Sequence, residues 1–298
     1  MLSTARRLAL ACAILLPLGA AAAPTGYVSS FDRLYRVDLG SGQQALVGDF
    51  RLANNERVFD VEGLAFGPDG VLYAVSDASE VLLRIDTATG LSTVIGNLGL
   101  AGQGTGAGNN LDFGLGFTCD GKLWLAAETA AKLWEVNPAN GVTRAVGALG
   151  AKITGLAGRG QELFGIGASG DERLYRINTA TGVASAIGTG LGNGIRFDDG
   201  GLDFDASGNL WAVFDYRPTD PNRASDLARI DVATGIATLT GRSIADDGEG
   251  LAIAPPSCAP TGGGSASTVP ASDLPGQALL AALVAVLGGL ALRSQRRS

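Results

Sequence analysis

Apolar and polar positions alternate along most of this chain with a period of two, in short runs cut by Gly, Asp and Asn. That period puts successive side chains on opposite faces of a strand. The clearest run is LYRINTATGVASAIG at Leu174–Gly188, and it recurs. The other copies are LYRVDLGSGQQALVG at Leu34–Gly48, LLRIDTATGLSTVIG at Leu82–Gly96, LWEVNPANGVTRAVG at Leu133–Gly147 and LARIDVATGIATLTG at Leu227–Gly241. Each predicts a β-hairpin: the Asp or Asn opens the turn by bonding its own backbone, and the following Gly takes the left-handed position that closes it.

A second pattern precedes four of the hairpins. It reads GLAFGPDGVLYAVSD at Gly63–Asp77, GLGFTCDGKLWLAAE at Gly114–Glu128, GLAGRGQELFGIGA at Gly155–Ala168 and GLDFDASGNLWAVFD at Gly201–Asp215. Each is a strand of small residues, a tight turn and a Leu-aromatic strand. Together with its hairpin it makes four strands, one blade of a propeller. The turn positions Asp38, Asp86, Asn137, Asn178 and Asp231 are spaced by 48, 51, 41 and 53 residues, a blade length with variable loops. The first hairpin has only Gly26–Ser29 before it, and GLAIAPP at Gly250–Pro256 has no hairpin after it. The chain is therefore expected to be all-β, a five-bladed propeller over residues 23–260, closed by pairing 250–256 with the N-terminal blade. Closure removes the open edge. Phe66, Phe117 and Phe204 are expected to fill space between blades, and the repeated Tyr73, Trp124, Phe164 and Trp211 to be packing residues.

The ends depart from this pattern. Residues 1–22 carry Arg6 and Arg7, an apolar stretch and Ala20-Ala21-Ala22, the layout of a signal peptide. Residues 261–277 form a Gly/Ser/Thr/Pro linker, and 278–298 an apolar segment followed by Arg293, Arg296 and Arg297. That order predicts a transmembrane helix with its arginines in the cytoplasm and the main domain outside. The tail resembles the IPTL-CTERM sorting signals of Gram-negative bacteria: Val269-Pro270 stands for Ile-Pro, Gly276 falls on the family's Gly, and Pro275 replaces its Trp. The resemblance implies a sorting protease as a partner; a plain membrane anchor is the alternative.

Charge and composition narrow the chemistry. Without the five terminal arginines, 17 basic side chains face 29 acidic ones, which excludes a nucleic-acid footprint. There is no histidine, so Ser-His-Asp triads, Cys-His pairs and His-ligated zinc are excluded.

The turns inside each hairpin and between the first two strands are short and lie on one face. The long connections, Arg51–Val58, Ala101–Leu111, Leu191–Arg196, Arg217–Asp226 and Arg242–Gly248, emerge on the other, where binding is expected. Acids stand just before the inner strands on that face: Asp60, Glu62, Asp112, Asp198, Asp199, Asp247 and Glu249, with Thr154 in the fourth blade. Six of them, Asp60, Glu62, Asp112, Asp199, Asp247 and Glu249, are candidate Ca²⁺ ligands at the channel mouth; a solvated acidic rim is the alternative. Cys119 and Cys258 are a candidate disulfide that would lock the ring, with the second blade intervening between them.

The Asp-x-x-Thr-Gly units resemble those of secreted bacterial β-propellers related to NHL- and TolB-like domains, which implies a fold. The first expectation is a non-enzymatic binding or scaffold module whose long-loop face takes a protein or glycan. The second rests on Glu62-Gly63 and Glu249-Gly250, which resemble the gluconolactonase and paraoxonase group and imply a Ca²⁺-dependent hydrolase or lactonase. That group is mostly six-bladed, and its paraoxonase members use histidine.

Overall fold

The computed structural model describes residues 24–104, 110–217, 219–220, 222–244, 247–256 and 258. The expected signal peptide, linker and apolar tail, with Val269, Pro270, Gly276, Arg293, Arg296 and Arg297, lie outside the described residues. Among the described residues no helix is long and apolar enough to cross a membrane.

The chain folds as five four-stranded antiparallel sheets. Blade 1 contains β1 (Thr25–Ser30), β2 (Arg33–Asp38) and β3 (Gln44–Asp49). Blade 2 is β4 (Val61–Phe66), β5 (Leu72–Ser76), β6 (Val81–Ile85) and β7 (Ser92–Asn97). Blade 3 is β8 (Phe113–Phe117), β9 (Leu123–Ala127), β10 (Lys132–Val136) and β11 (Thr143–Ala148). Blade 4 is β12 (Ile153–Arg159), β13 (Glu162–Gly167), β14 (Leu174–Ile177) and β15 (Ala184–Ile187). Blade 5 is β16 (Asp199–Phe204), β17 (Leu210–Asp215), β18 (Ser225–Ile230) and β19 (Ala237–Ile244). The last strand, β20 (Leu251–Ala252), returns to blade 1 and supplies its inner strand, pairing Tyr27 with Ala252 and Val28 with Leu251. Ser29 extends the pairing by donating to the Gly250 carbonyl at 3.1 Å and accepting from Glu249 at 3.0 Å.

Five equivalent glycines hold the inner strands around the axis. A Cβ on Gly63 would lie 2.8 Å from the Leu115 Cβ, on Gly114 2.5 Å from the Thr154 carbonyl, and on Gly155 2.7 Å from the Gly200 carbonyl. On Gly201 it would lie 2.3 Å from the Leu251 nitrogen, and on Gly250 it would overlap the Glu62 carbonyl. These contacts run from blade 2 to 3, 3 to 4, 4 to 5, 5 to 1 and 1 to 2, so they trace the closed ring. The space left between inner strands is only about 10 Å³.

Each seam between blades has its own apolar core. Between blades 4 and 5 it holds Phe164, Phe204 and Phe214; between 2 and 3, Tyr73, Phe117 and Trp134. The other seams hold Tyr35 with Trp211, Leu34 with Leu72, and Trp124 with Tyr175. Phe66, Phe117 and Phe204 meet aromatics of neighbouring blades, with centroids 5.8 Å from Tyr27, 5.1 Å from Tyr73 and 5.5 Å from Phe164. Fully burying one large apolar side chain is worth about 1.5–3 kcal/mol, so the repeated aromatics are a main source of stability.

Two loop boundaries differ from expectation. Ser225 and Asp226, expected in the connection from Arg217, open β18. Arg242–Ile244 belongs to β19, because the ladder with β18 resumes at Asp226 opposite Ser243 after an irregular step in register. Beyond β20 the chain crosses the short-turn end of the axis. Asp203 of blade 5 accepts from the amides of Ile253 (2.6 Å) and Ala254 (3.4 Å). Ala254 and Pro256 then lie beside the inner strands of blades 2, 3 and 4, around a void of about 10 Å³. Cys258 reaches blade 3, where it forms a disulfide with Cys119 across 5.3 Å between Cα atoms.

Candidate functional site

At the opposite end of the axis, carboxylates converge. Their placement follows from antiparallel pairing: the start of an inner strand and the end of its neighbour lie at the same edge of a blade. The Asp77 amide donates to the Asp60 carbonyl at 2.8 Å, Glu128 to Asp112 at 2.9 Å, and Asp215 accepts from Asp198 at 2.8 Å. In blade 4 the same bond joins Ala168 to Lys152 (3.0 Å), which interrupts the acidic series with a cation. Asp60 and Asp112 have φ of +57° and +51°, left-handed values that turn the chain sharply into the inner strand.

Asp60, Glu62 and Asp77 form the tightest group: one oxygen from each lies within 4.8 Å of the others. The β4–β5 ladder is irregular between Val61 and Leu64, the stretch that carries Glu62. Glu62 is buried and accepts from the Phe113 amide of blade 3 at 2.5 Å. Asp77, also buried, accepts from the Leu111 amide at 3.1 Å. The group therefore joins blade 2 to blade 3.

Burial dominates the electrostatics. It raises Glu62 well above the ordinary carboxylate range, and Glu249, Asp77, Asp112 and Asp199 push it further. Glu249 is raised by burial and by Asp199, Asp60 and Asp215; Asp199 by burial and by Asp112, Glu128 and Asp215. Asp77, Asp112 and Asp215 are each raised to about 6, burial again leading. Lys152 lies 3.6 Å from Glu128, and Arg217 2.7 Å from Asp247. Carboxylates whose ionisation is opposed by burial and by one another gain most from a bound cation. The donors are all oxygen and already close together, which suits a hard ion such as Ca²⁺.

The structure thus gathers Asp60, Glu62, Asp112, Asp199 and Glu249 at the mouth and turns Asp247 toward Arg217. Sequence reasoning missed Asp77, Glu128 and Asp215. Their signal was present: the second strand of blades 2, 3 and 5 ends in an acid, at the edge where the inner strand begins.

The loops around the mouth are uneven. Connections between second and third strands span 31–32, 77–80 and 128–131 in blades 1 to 3, but 168–173 and 216–224 in blades 4 and 5. Between these two longer loops lies a cavity of about 530 Å³ lined by Glu172, Arg196, Asp198, Thr219 and Arg223.

No protein-family model matches the sequence, and no curated protein does. Solved structures resemble the fold. Virginiamycin B lyase from Staphylococcus aureus is 14% identical with a TM-score of 0.42, over 73% of this chain and 69% of the lyase. A chain of the nidogen/laminin complex is 13% identical with a TM-score of 0.47, over 79% of this chain and 99% of that one. A gluconolactonase from Xanthomonas campestris is 15% identical with a TM-score of 0.45, over 76% of this chain and 79% of its own. At such identities no activity transfers, and the five-bladed architecture stands on the strand pairing.

Proposed function

We propose that this chain is an exported propeller, tethered to a membrane or sorted to the cell surface, that binds a protein or glycan through its long-loop face without catalysing a reaction. The observation that carries the reading is the asymmetry of the two faces. The short-turn face repeats from blade to blade and is crossed by the C-terminal strap. The long-loop face holds the unrepeated loops and the convergent carboxylates. In this reading Ca²⁺ at Asp60, Glu62 and Asp77 sets the geometry of the face, with Asp112, Asp199 and Glu249 supplying further negative charge.

The test replaces residues 102–109 with a short Gly turn, which leaves the buried Leu111 and its bond to Asp77 in place. The immobilised wild-type protein is expected to retain a ligand from the envelope fraction of its host in Ca²⁺, and the loop variant to lose it with an unchanged melting temperature. Equal retention by both proteins would overturn the reading. A second reading, a Ca²⁺-dependent lactonase, draws on the buried carboxyls Glu62 and Glu249, whose proton affinity burial and neighbouring acids raise, as a candidate acid–base pair toward a substrate. It predicts Ca²⁺-dependent hydrolysis of aldonolactones, lost in Glu62→Gln.

A further inference from the structure

The cavity between blades 4 and 5 is distinct from the axial mouth, and its walls come from the two loops that most exceed the repeat. Beside it lies a second basin of about 350 Å³ over the glycine-rich connection 188–194. The two basins share Gly170, Glu172 and Arg196. They therefore form one trough, with Arg196 on the ridge between them. Its side chain is 75% exposed, and one guanidinium nitrogen donates to the Ile195 carbonyl at 2.9 Å.

The trough is polar and internally paired. Arg196 lies 3.7 Å from Glu172, Arg173 3.5 Å from Asp171, and Arg223 2.9 Å from Asp226. Arg223 also covers the Tyr216 ring, 3.5 Å from its centroid. Asp198 accepts from the Thr219 amide at 3.0 Å and hydroxyl at 2.8 Å, which joins the loop of blade 5 to the connection leaving blade 4. The aromatic floor, Phe197 and Tyr216, is 3% and 4% exposed and offers no apolar pocket for a peptide side chain. Each of the three arginines faces a carboxylate, and Asp198 and Asp220 add two further carboxylates to the lining, so the balance of charge disfavours an anionic ligand.

What remains is a long surface of mixed donors and acceptors in which carboxylates outnumber cations. That chemistry matches a chain of vicinal hydroxyls, each both donor and acceptor. We propose that this trough binds a neutral oligosaccharide, one sugar unit in each basin and Arg196 bonding the hydroxyls at the linkage. The inference rests on the reading of the long-loop face as a binding face, and adds to that face a second site, away from the 101–111 connection, with its ligand class.

The test applies the exported protein to an array of neutral and acidic glycans, followed by titration calorimetry of the strongest binder. The expected result is binding to neutral oligosaccharides of two or more units, weakened at least tenfold by Arg196→Ala and unchanged by Arg144→Ala on the exposed outer strand of blade 3. Absence of binding to every neutral glycan, binding to acidic glycans alone, or binding insensitive to Arg196→Ala would each overturn the proposal. Retention of an envelope ligand that depends on residues 102–109, with no neutral glycan bound at the trough, would overturn this inference and leave the broader reading standing.

Discussion

Acidification in the absence of divalent cations should stabilise this protein, the reverse of ordinary acid unfolding. Asp77 and Asp215 provide the working numbers. Burial raises each from 3.8 to about 6, so the native state holds protons that the unfolded chain releases. Their contribution is complete below 3.8 and is lost as the pH rises through about 6. Keeping one such carboxyl ionised at neutral pH costs about 3 kcal/mol, at ~1.4 kcal/mol per tenfold change in proton affinity. Solvent at the channel mouth screens this to about half. The two together give roughly 3 kcal/mol over the whole range, but only about half of it, roughly 1.5 kcal/mol, is recovered between about pH 8 and pH 5, because the unfolded carboxyls are still ionised there; the rise in melting temperature over that interval is roughly 3–6 °C. Carboxyls that pull the other way do not titrate in that window: Asp49, held down by Arg51 and Arg57, and Asp38, held down by Ser41, lose their contribution only as the pH falls below 3.8. Thermal melting in a chelator, repeated in excess Ca²⁺, checks the prediction. In Ca²⁺ the melting temperature at neutral pH should rise and the gain on acidification should shrink, because protons and the ion compete. A melting temperature in chelator that is flat or falls between those pH values would refute the electrostatic reasoning. No stabilisation by Ca²⁺ would remove the metal site.

Other consequences are independent of the ion. Cys119→Ser should lower unfolding free energy by about 3–5 kcal/mol, because the bridge spans 139 residues, and urea unfolding with and without reductant measures it. Gly114→Ala places a Cβ 2.5 Å from the Thr154 carbonyl and should destabilise by about 1–3 kcal/mol or more; an unchanged urea midpoint would contradict the tight axis. Asp203→Ala strips the acceptor from the Ile253 and Ala254 amides, costing about 1–3 kcal/mol, and should speed hydrogen exchange at those amides before the rest of the ring.

The ring was legible because its frame is made of turns, and turn chemistry is local: Asp86, Gly90 and their counterparts announce each hairpin without reference to the rest of the chain. The return of the chain to the first blade could be read, because a missing strand and a surplus strand matched, but only 250–252 of the expected 250–256 pair there; Ile253 and Ala254 turn to Asp203 of blade 5 instead. The site was only half legible. Asp60, Glu62 and Glu249 stand out because they precede inner strands, whereas Asp77 and Asp215 end a repeated pattern and read as frame. Asp247 fits the acidic pattern equally well, and only the fold shows that Arg217 engages it. The strap was legible only at its end, as the candidate pair Cys119 and Cys258, and its path was not. Counted around the ring, Cys119 and Cys258 are separated by an intervening blade, but residues 253–258 cut across the axis instead of following the rim, and that shortcut is a tertiary matter.

That shortcut also decides how the molecule would bear a load. Tension applied to the chain beyond residue 258 reaches the disulfide before it reaches β20. The closing strand is fastened by the Asp203 bonds to Ile253 and Ala254, two ladder pairs, Tyr27 to Ala252 and Val28 to Leu251, and the Ser29 bonds to Gly250 and Glu249, and a peeling force would open them one after the other. The covalent link passes the pull into blade 3, whose strands are held on both sides. With the bridge intact the ring would be dragged as a unit; with it reduced, the same pull would unzip the ring at its seam.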